Sequence, residues 1–274
     1  MRIDLHLHTW FSDGSCSPHT VAAEAAQQRL RAWALTDHDC LDGWAALRDA
    51  PGLIPGVEIT CSHEGREVHV VGLGFDPADA ELNDFLAGIR RLRHVRFGRL
   101  RALVEAHYGC RLPDPIDCGP SVSPSRLHLA RALQRTGIIT HAQQAFADCL
   151  GDAQLRGSDL PAFPAVAEGA ALLRSAGGVA LLAHPGVYGG IELIDRLMRI
   201  GELDGLETNH PKLPDGLRRG IEDLATRHGW LRSCGSDFHW HGSRRIGDWR
   251  LSHAAAAPLL QRIGWSDALT RQAG

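Results

Sequence analysis

The stretch Asp4-Leu5-His6-Leu7-His8, near the start of the chain, alternates polar and apolar side chains. In a β-strand, residues two positions apart point to the same face. A strand over Arg2–His8 would therefore place Asp4, His6 and His8 together on one face. Two imidazoles and a carboxylate at a strand end suit a divalent metal ion. An ordinary strand with its polar residues turned to solvent is the alternative for this stretch taken alone.

The composition is that of a globular protein, long enough for one large domain or for one domain with an insertion. The chain has 274 residues, 44% hydrophobic and 22% charged side chains, and a net charge of −3. This charge excludes a general polyanion-binding surface, so any nucleic-acid contact requires a local basic patch. Histidine is unusually frequent, with 16 residues, several of them beside Asp or Glu.

The seven cysteines are scattered and contain no Cys-x-x-Cys pair. This pattern predicts buried free thiols in a reducing cytoplasm, not a disulfide framework or a structural zinc site. The sequence contains no signal-peptide pattern and no apolar run of membrane-spanning length. We therefore expect a cytoplasmic protein without membrane association, and nothing in the sequence indicates an obligate protein partner.

Short apolar runs alternate with amphipathic stretches, which predicts an α/β fold with a parallel sheet under helices. Strands are predicted at Arg2–His8, Trp33–Asp39, Leu53–Thr60 (with a break at Pro55-Gly56), Glu67–Leu73, Val179–Pro185, Asp204–Thr208 and Leu231–His239. Helices are predicted at Thr20–Arg31, Leu41–Asp49, Glu81–His107, Ser125–Thr136, Thr140–Leu150, Ala165–Ala176, Ile191–Ile200 and Leu217–His228. Residues 96–164 lack strands, so we expect a small helical insertion there, between barrel parts at 1–95 and 165–274.

Polar groups recur at the carboxyl ends of the predicted strands, where active sites form in (β/α) barrels. The candidate metal ligands are His6, His8, Asp13, His38, Glu58, His69, His184, Asp237 and His239. At four to six ligands for each ion, with some shared, this set suits two or three ions. Imidazole and carboxylate ligands favour Mn²⁺, Fe²⁺ or Zn²⁺, and the absence of cysteine argues against a purely soft site.

Six motifs in order make the chain resemble the polymerase-and-histidinol-phosphatase (PHP) family. They are Asp4-Leu-His6-Leu-His8, Thr36-Asp37-His38, Gly56-Val-Glu58, Val68-His69-Val70, Ala183-His184-Pro185 and Gly235-Ser-Asp237-Phe-His239. The resemblance implies a distorted (β/α)7 barrel that carries a trinuclear metal centre, with manganese as the expected metal. The stretch between His38 and Glu58 is shorter than is common in this family, so we expect the helix there to be reduced.

The resemblance also implies how the ligands divide among three ions. One ion would take His6, His8, Glu58 and Asp237; a second would take Glu58, His69 and His184; the third would take Asp13, His38 and His239. Asp13, His38 and Glu58 are accordingly expected to be catalytic, and Asp13 and His38 are also expected to bind the substrate. Asp4 and Asp37 are expected to orient ligand histidines.

Metal ions about 3.5–4 Å apart can clamp a hydroxide and a phosphoryl oxygen for in-line attack. We expect this chemistry because the sequence contains no Gly-x-Ser-x-Gly nucleophile motif and no cysteine beside the candidate ligands. It also lacks a Walker loop, which makes an ATP-driven enzyme unexpected. His210 follows a strand end, where it either protonates a leaving oxygen or caps a turn.

Basic residues in the predicted insertion indicate an anionic substrate. Arg96 and Arg99 are three positions apart on a predicted helix, and Arg126 and His128 lie at the start of the next. Arginine binds phosphate in a bidentate manner and helix N-termini favour anions, so these four residues are candidate phosphate ligands. A solvated basic helix face is the alternative, and it is the favoured interpretation for the neighbouring arginines, which include Arg93.

The insertion and the stand-alone length most resemble the family branch of nucleoside 3′,5′-bisphosphate phosphatases and 5′-to-3′ exoribonucleases of short RNA. We therefore expect hydrolysis of the 3′-phosphate of a nucleoside 3′,5′-bisphosphate by a metal-bridging hydroxide, with short 5′-phosphorylated RNA as a second substrate. A phosphatase of histidinol phosphate, or of another small phosphomonoester, is the alternative. A module that binds metal or nucleic acid without catalysis is disfavoured, because all nine ligand positions carry competent residues.

Overall fold

Two sheets form the centre of the protein in the computed structural model, which describes residues 1–119 and 121–265. The first sheet is parallel and contains β1 (Ile3–Leu7), β2 (Ala32–Leu35) and β3 (Leu53–Ile54). The second has the order β4-β5-β6-β7-β8, with β4 (Gly56–His63), β5 (Arg66–Leu73), β6 (Val179–Leu182), β7 (Gly205–Asn209) and β8 (Leu231–Cys234).

The expectation of a wholly parallel sheet is wrong for the second sheet. β4 and β5 pair antiparallel, as do β5 and β6, whereas β6, β7 and β8 are parallel. The cause is local: Glu64 and Gly65 both have positive φ, 48° and 74°, and form the two-residue turn between β4 and β5. Such turns join neighbouring antiparallel strands, because a parallel connection needs a dozen or more residues.

The predicted break at Pro55-Gly56 is confirmed, and it divides the predicted strand into two strands. Pro55 separates β3 from β4, which belong to different sheets. Proline has no backbone N–H to donate to a ladder, so pairing stops there. The two sheets meet at isolated bridges, Leu7 with Phe238 and His38 with Glu58. Among the described residues the fold is therefore mixed α/β, and continuous ladders do not close it into a ring.

Helices cover the sheets and agree closely with those predicted. They are α1 (Pro18–Gln27), α2 (Asp42–Ala45), α3 (Ala80–Tyr108), α4 (Arg126–Arg135), α5 (Ala142–Ala145), α6 (Asp152–Leu155), α7 (Val166–Ser175), α8 (Ile191–Ile200), α9 (Asp215–His228) and α10 (His253–Arg262). The single turn of α2 occupies the shortened segment before Glu58. The short α6 and α10 were not predicted; α10 is an alanine-rich helix that contains Pro258 and so lacks a clear helical signal.

The strand-free region forms its own apolar cluster. The carboxyl-terminal half of α3 packs with α4, α5 and the π-helical turn Phe146–Leu150 through Leu100, Val104, Leu129 and Leu133. The predicted division at 95/96 falls inside α3, so that helix belongs to both parts, and the residue bounds of the insertion stay a prediction. The last predicted barrel residues, 266–274, lie outside the described ranges.

Two further expectations concern cysteines and membranes. All seven cysteines are free, and five of them are buried. No helix within residues 1–119 and 121–265 combines the length and apolarity that crossing a bilayer requires.

Candidate metal centre

All nine predicted ligands come together at one edge of the two sheets. β1 carries His6 and is followed by His8 and Asp13; the other groups lie on or directly after β2, β4, β5, β6 and β8. Seven of the nine are buried, and the side chains of His69 and His239 are 16% and 13% exposed. Strands that end at a common edge deliver side chains distant in sequence to one place.

Glu58 occupies the middle of this cluster. Its Oε2 lies 3.2 Å from His6 Nε2, 3.2 Å from His8 Nε2 and 3.3 Å from His38 Nδ1. Its Oε1 lies 2.9 Å from both His69 Nδ1 and His184 Nε2. One carboxylate thus touches five imidazoles with its two oxygens, which is the arrangement that a bridging ligand requires.

Two more carboxylates flank the cluster. Asp13 lies with Oδ1 3.2 Å from His239 Nε2 and Oδ2 3.8 Å from His38 Nε2. Asp237 Oδ1 lies 3.4 Å from His8 Nε2 and 3.7 Å from His6 Nε2. The structure thus brings together each of the three ligand sets implied by the family resemblance. The division of these residues among ions stays a prediction.

The donor set fits divalent metal ions. His6 Nε2 and His8 Nε2 face each other at 3.1 Å, and His69 Nδ1 and His184 Nε2 face each other at 3.3 Å. A neutral imidazole has one N–H, and His6 directs its Nδ1 toward Glu207, so in the deprotonated rings the lone pairs would face the space between them. Asp13 Oδ1 and His38 Nδ1 are buried without a hydrogen bond. Buried lone pairs of this kind are satisfied by cations.

The surroundings set the protonation of each ligand differently. Burial alone would raise the pKa of Glu58, but the adjacent imidazoles of His38, His6 and His69 hold it well below its usual range. Burial, followed by the nearby ammonium of Lys212, lowers the pKa of His184 to about 3. The carboxylate is therefore ionised and this imidazole neutral near pH 7. Although burial lowers them, adjacent carboxylates raise the pKa values of His8 and His69 to about 9, so a metal ion would displace protons from these two rings.

A cavity of about 560 Å³ opens onto the cluster. Asp13, His38, Glu58, His69, His184, Asp237 and His239 line one part of it. A second part, here called the insertion wall, is formed by Arg96, Arg126, Phe97, Phe146 and Phe163, and further residues line the rest. Acidic, basic and aromatic groups thus share one space large enough for a nucleotide-sized ligand.

The two arginines of the insertion wall already have partners. Arg126 donates to Asp152 Oδ1 at 2.5 Å and to Glu67 Oε1 at 3.2 Å. Arg96 stacks over the ring of Phe163 at 4.3 Å and lies 3.8 Å from Glu67 Oε2. Glu67 also faces His69 Nε2 at 3.0 Å, so this partly buried carboxylate joins the insertion wall to the cluster.

Arg99 and His128, also predicted to bind substrate, are not among the residues that line the cavity. Arg99 is 48% exposed and pairs with Asp159. His128 is buried and accepts a hydrogen bond from the backbone N–H of Ser125, the N-cap of α4. Because burial lowers the pKa of His128 to about 4, its imidazole is neutral near pH 7. Its position supports a role in helix capping.

Comparison with known proteins identifies the family. The family model described as "PHP domain" matches residues 4–114. A 3′,5′-nucleoside bisphosphate phosphatase from Chromobacterium violaceum is 33% identical over 98% of this chain and 97% of its own length. The chain belongs to the PHP family. This PHP protein is thus a metal-dependent phosphoesterase, a hydrolase of phosphate ester bonds.

Two further comparisons agree. The 5′-3′ exoribonuclease Rnm from Salmonella typhimurium is 32% identical to this PHP protein over 86% of this chain and 84% of its own length. A solved structure of an amidohydrolase from Chromobacterium violaceum, with bound sulfate and no metal, superposes with a TM-score of 0.85. It is 31% identical and covers 96% of both chains.

Glu207, which was not predicted from the sequence, orients the His6 ring of the PHP centre and holds the backbone at His184. Its Oε1 lies 3.0 Å from His6 Nδ1, and its Oε2 accepts from the backbone N–H of His184 at 2.5 Å. The signal was available, because Glu207 is an acidic residue within a predicted buried strand, as Glu58 is. Carboxylates that hold the distal nitrogen of a ligand histidine fix its tautomer and direction.

Asp4 and Asp37 hold backbone loops and do not contact a histidine ring directly, contrary to expectation. Asp4 accepts from the backbone N–H groups of Ser236 at 2.9 Å and Gly247 at 2.8 Å, and so braces the loop that carries Asp237. Asp37 accepts from the Thr9 backbone N–H at 2.7 Å and from Ser12 Oγ at 2.6 Å. Ser12 Oγ lies 3.4 Å from His8 Nδ1, so Asp37 acts on that ring through the serine.

His210 is buried beside the cluster and is absent from the residues lining the cavity. Its Nδ1 accepts from the Lys212 backbone N–H at 3.1 Å, which closes a turn as one of the two interpretations expected. Its Nε2 lies 3.6 Å from Asp237 Oδ2 without a hydrogen bond. A role in proton transfer stays a prediction.

Arg93 is a second residue whose role the sequence did not indicate. We expected a solvated arginine, but its side chain is 6% exposed and its Nε lies 2.5 Å from Asp39 Oδ2. Asp39 also accepts from the backbone N–H of Thr60 at 2.7 Å, and Arg93 donates to the Pro124 carbonyl at 3.3 Å. Although burial lowers the pKa of Arg93, Asp39 and Glu67 outweigh it and raise that pKa. This pair fixes α3 to the sheet behind His38.

Proposed function

We propose that this protein removes the 3′-phosphate from nucleoside 3′,5′-bisphosphates, and that it also degrades short 5′-phosphorylated RNA from its 5′ end. The observation that carries the proposal is the shared cavity, which has the histidine–carboxylate cluster on one part of its surface and an arginine–aromatic wall on another. A substrate with two phosphates and a base requires this combination of surfaces. The relatives named above act on bisphosphates or RNA, which supports the proposal.

The proposed metal ligands are the nine residues that converge at the sheet edge, with Glu58 bridging two ions, and three Mn²⁺ ions are the proposed complement. When bound, such ions activate water for attack on phosphorus and neutralise phosphoryl charge. In this proposal Asp13, His38 and Glu58 hold and orient the reacting groups. His210 stays in the proposal as the proton donor to the leaving oxygen.

The insertion wall supports recognition of a second phosphate and a base. Arg96 and Arg126 present guanidinium groups to the cavity, and Arg126 begins α4, whose N-terminus attracts anions. Phe97 and Phe146 offer rings on which a base can stack. Arg99 and His128 would contribute to this subsite indirectly. Arg99 would support the insertion wall, and His128 would cap α4.

The proposal extends to the architecture. Helix-connected parallel strands, with bridges at Leu7–Phe238 and His38–Glu58 where the sheets meet, support a distorted (β/α)7 barrel. In such a barrel, residues at the carboxyl ends of the strands form the active site.

The test is phosphate release by the Mn²⁺-loaded protein from three substrates: adenosine 3′,5′-bisphosphate, adenosine 3′-monophosphate and histidinol phosphate. We expect kcat/KM to be highest for the bisphosphate, by roughly 10-fold or more over the monophosphate, because a charge-assisted contact contributes about 1.5–3 kcal/mol. Preference for histidinol phosphate would contradict the proposal, as would equal rates on the two nucleotides. The amine of histidinol phosphate would need a carboxylate to pair with. Glu67 lines the cavity but is already paired with Arg96 and Arg126, so it does not offer one.

A further inference from the structure

The carboxylate of Asp237 is divided between two environments. Its Oδ1 faces the imidazoles of His8 and His239, each at 3.4 Å. Its Oδ2 faces the opposite way, 2.6 Å from Lys212 Nζ and 2.8 Å from Arg244 Nη1. One oxygen is therefore available to the metal cluster, while the other is held by two cations that the sequence analysis did not single out.

Arg244 and Lys212 are held differently. Arg244 Nη1 also donates to the backbone carbonyl of Asp237 at 2.8 Å, which fixes the arginine to the loop itself. Lys212 reaches Asp237 from the loop after β7, and its side chain is 37% exposed. Although burial would lower it, the carboxylate of Asp237 raises the pKa of Lys212, so its ammonium stays charged. Lys212 and Arg244 are called the cation pair below.

Within ion-pair distance the cation pair carries more positive charge than its partner Asp237 neutralises, and the carboxylate of Glu58 acts on Lys212 from farther away. Two cations meet one carboxylate oxygen, and the neighbouring His210 adds no negative charge. On the insertion wall, by contrast, two arginines meet two carboxylates, Glu67 and Asp152. Both members of the cation pair line the cavity that His184 and His239 also line. Excess positive charge in a partly enclosed site attracts anions.

We propose that Lys212 and Arg244 form the binding site for the phosphoryl group that is hydrolysed, by contacting its non-bridging oxygens beside the metal cluster. This inference rests on the proposed function for the identity of the substrate, but the anion site itself does not depend on which ester is cleaved. It separates two subsites by residue: the cation pair for the scissile phosphate, and the insertion wall for the second phosphate.

The first test is calorimetric titration of inorganic phosphate into the Mn²⁺-loaded protein, with manganese content measured in every sample. Lys212→Met removes the exposed ammonium and keeps a side chain of similar length, and we expect phosphate affinity to fall by roughly 10-fold or more. Arg244→Lys, which retains a charge, should lose less than Arg244→Met. The control is Arg219→Met, an exposed arginine of α9 outside the cavity lining, which should bind phosphate as the unaltered protein does.

The second test separates this inference from the proposed function. Lys212→Met should lower kcat/KM by the same factor on adenosine 3′,5′-bisphosphate and on the 3′-monophosphate, because both carry the scissile phosphate. Unchanged phosphate affinity in Lys212→Met at full manganese content would overturn the inference. The inference would also be overturned if Lys212→Met lost manganese but the molecules that kept it bound phosphate with unaltered affinity. Lys212 would then act only by holding Asp237. A failure of bisphosphate preference with weakened phosphate binding would overturn the proposed function alone.

Discussion

The histidine cluster and the insertion wall line the same cavity, yet they differ in the length of their side chains and in the elements that carry them. The cluster uses short side chains on or just after strands, and Glu58 alone lies within 3.3 Å of five imidazole nitrogens. The insertion wall uses long arginine side chains from α3 and α4, positioned by carboxylates and aromatic rings. Short side chains on strands leave little freedom, whereas long ones adopt whichever direction their partners select. Substitutions in the cluster should therefore lower the rate on every substrate, whereas substitutions in the insertion wall should lower the preference for one substrate over another.

The largest expected effect comes from Glu58→Gln, which keeps the side-chain size and removes the central charge. We expect kcat/KM to fall by roughly 1,000-fold or more on every phosphate ester, because a catalytic metal site supplies several kcal/mol and about 1.4 kcal/mol corresponds to a factor of ten. Steady-state kinetics with measured manganese content checks this. The control is Glu64→Gln in the β4–β5 turn, where the side chain is 66% exposed. Turnover that survives in Glu58→Gln would remove Glu58 from the catalytic centre.

Arg93→Met tests the support behind both regions, because Arg93 joins α3 to the loop that carries His38. The free energy of unfolding should fall by about 3–5 kcal/mol, since removing one partner leaves the buried Asp39 charge unpaired. Urea denaturation measures this change. The control on the same helix is Arg99→Met, whose exposed pair with Asp159 contributes about 0–1 kcal/mol. Equal losses in the two variants would show that burial of Arg93 does not matter for stability.

Arg126→Ala sharpens the contrast between chemistry and selectivity. We expect kcat/KM for the bisphosphate to fall by roughly 10- to 150-fold, the equivalent of about 1.5–3 kcal/mol for a charge-assisted contact. Activity on adenosine 3′-monophosphate should change little, because that substrate has no second phosphate. Arg156→Ala, at an exposed position of the same region, provides the matched control. A parallel loss on both nucleotides would place Arg126 at the scissile phosphate instead.

The smallest effect is expected from Ser125→Ala, which removes the hydroxyl that accepts from the Leu127 backbone N–H at the start of α4. Loss of an N-cap costs about 1 kcal/mol. Thermal unfolding should show a lower Tm, while kcat/KM on the 3′-monophosphate stays the same. Ser158→Ala is the control, because that exposed serine is not the N-cap of a helix. An equal shift in both variants would contradict the capping role of Ser125.

Most helices and the convergence of the nine candidate ligands could be predicted from the sequence, whereas strand direction and ion-pair partners could not. The alternation in Asp4-Leu5-His6-Leu7-His8 is local and fixes which face each side chain takes. The antiparallel hairpin of β4 and β5 was missed because its turn carries Glu64 before Gly65, not one of the residue pairs typical of such turns. α10 was missed because alanine gives little amphipathic contrast.

The sequence by itself thus determined that this protein carries a histidine–carboxylate centre at strand ends, because strand periodicity is a property of short segments. Tertiary structure alone decided which charged and polar side chains contact one another. Glu207 meets His6 across 201 positions and Arg93 meets Asp39 across 54. Lys212 contacts Asp237 only because the loop after β7 lies beside the loop after β8, which carries Asp237. Electrostatic interaction falls with distance in space and depends on burial, and neither quantity is written in the spacing of residues along the chain.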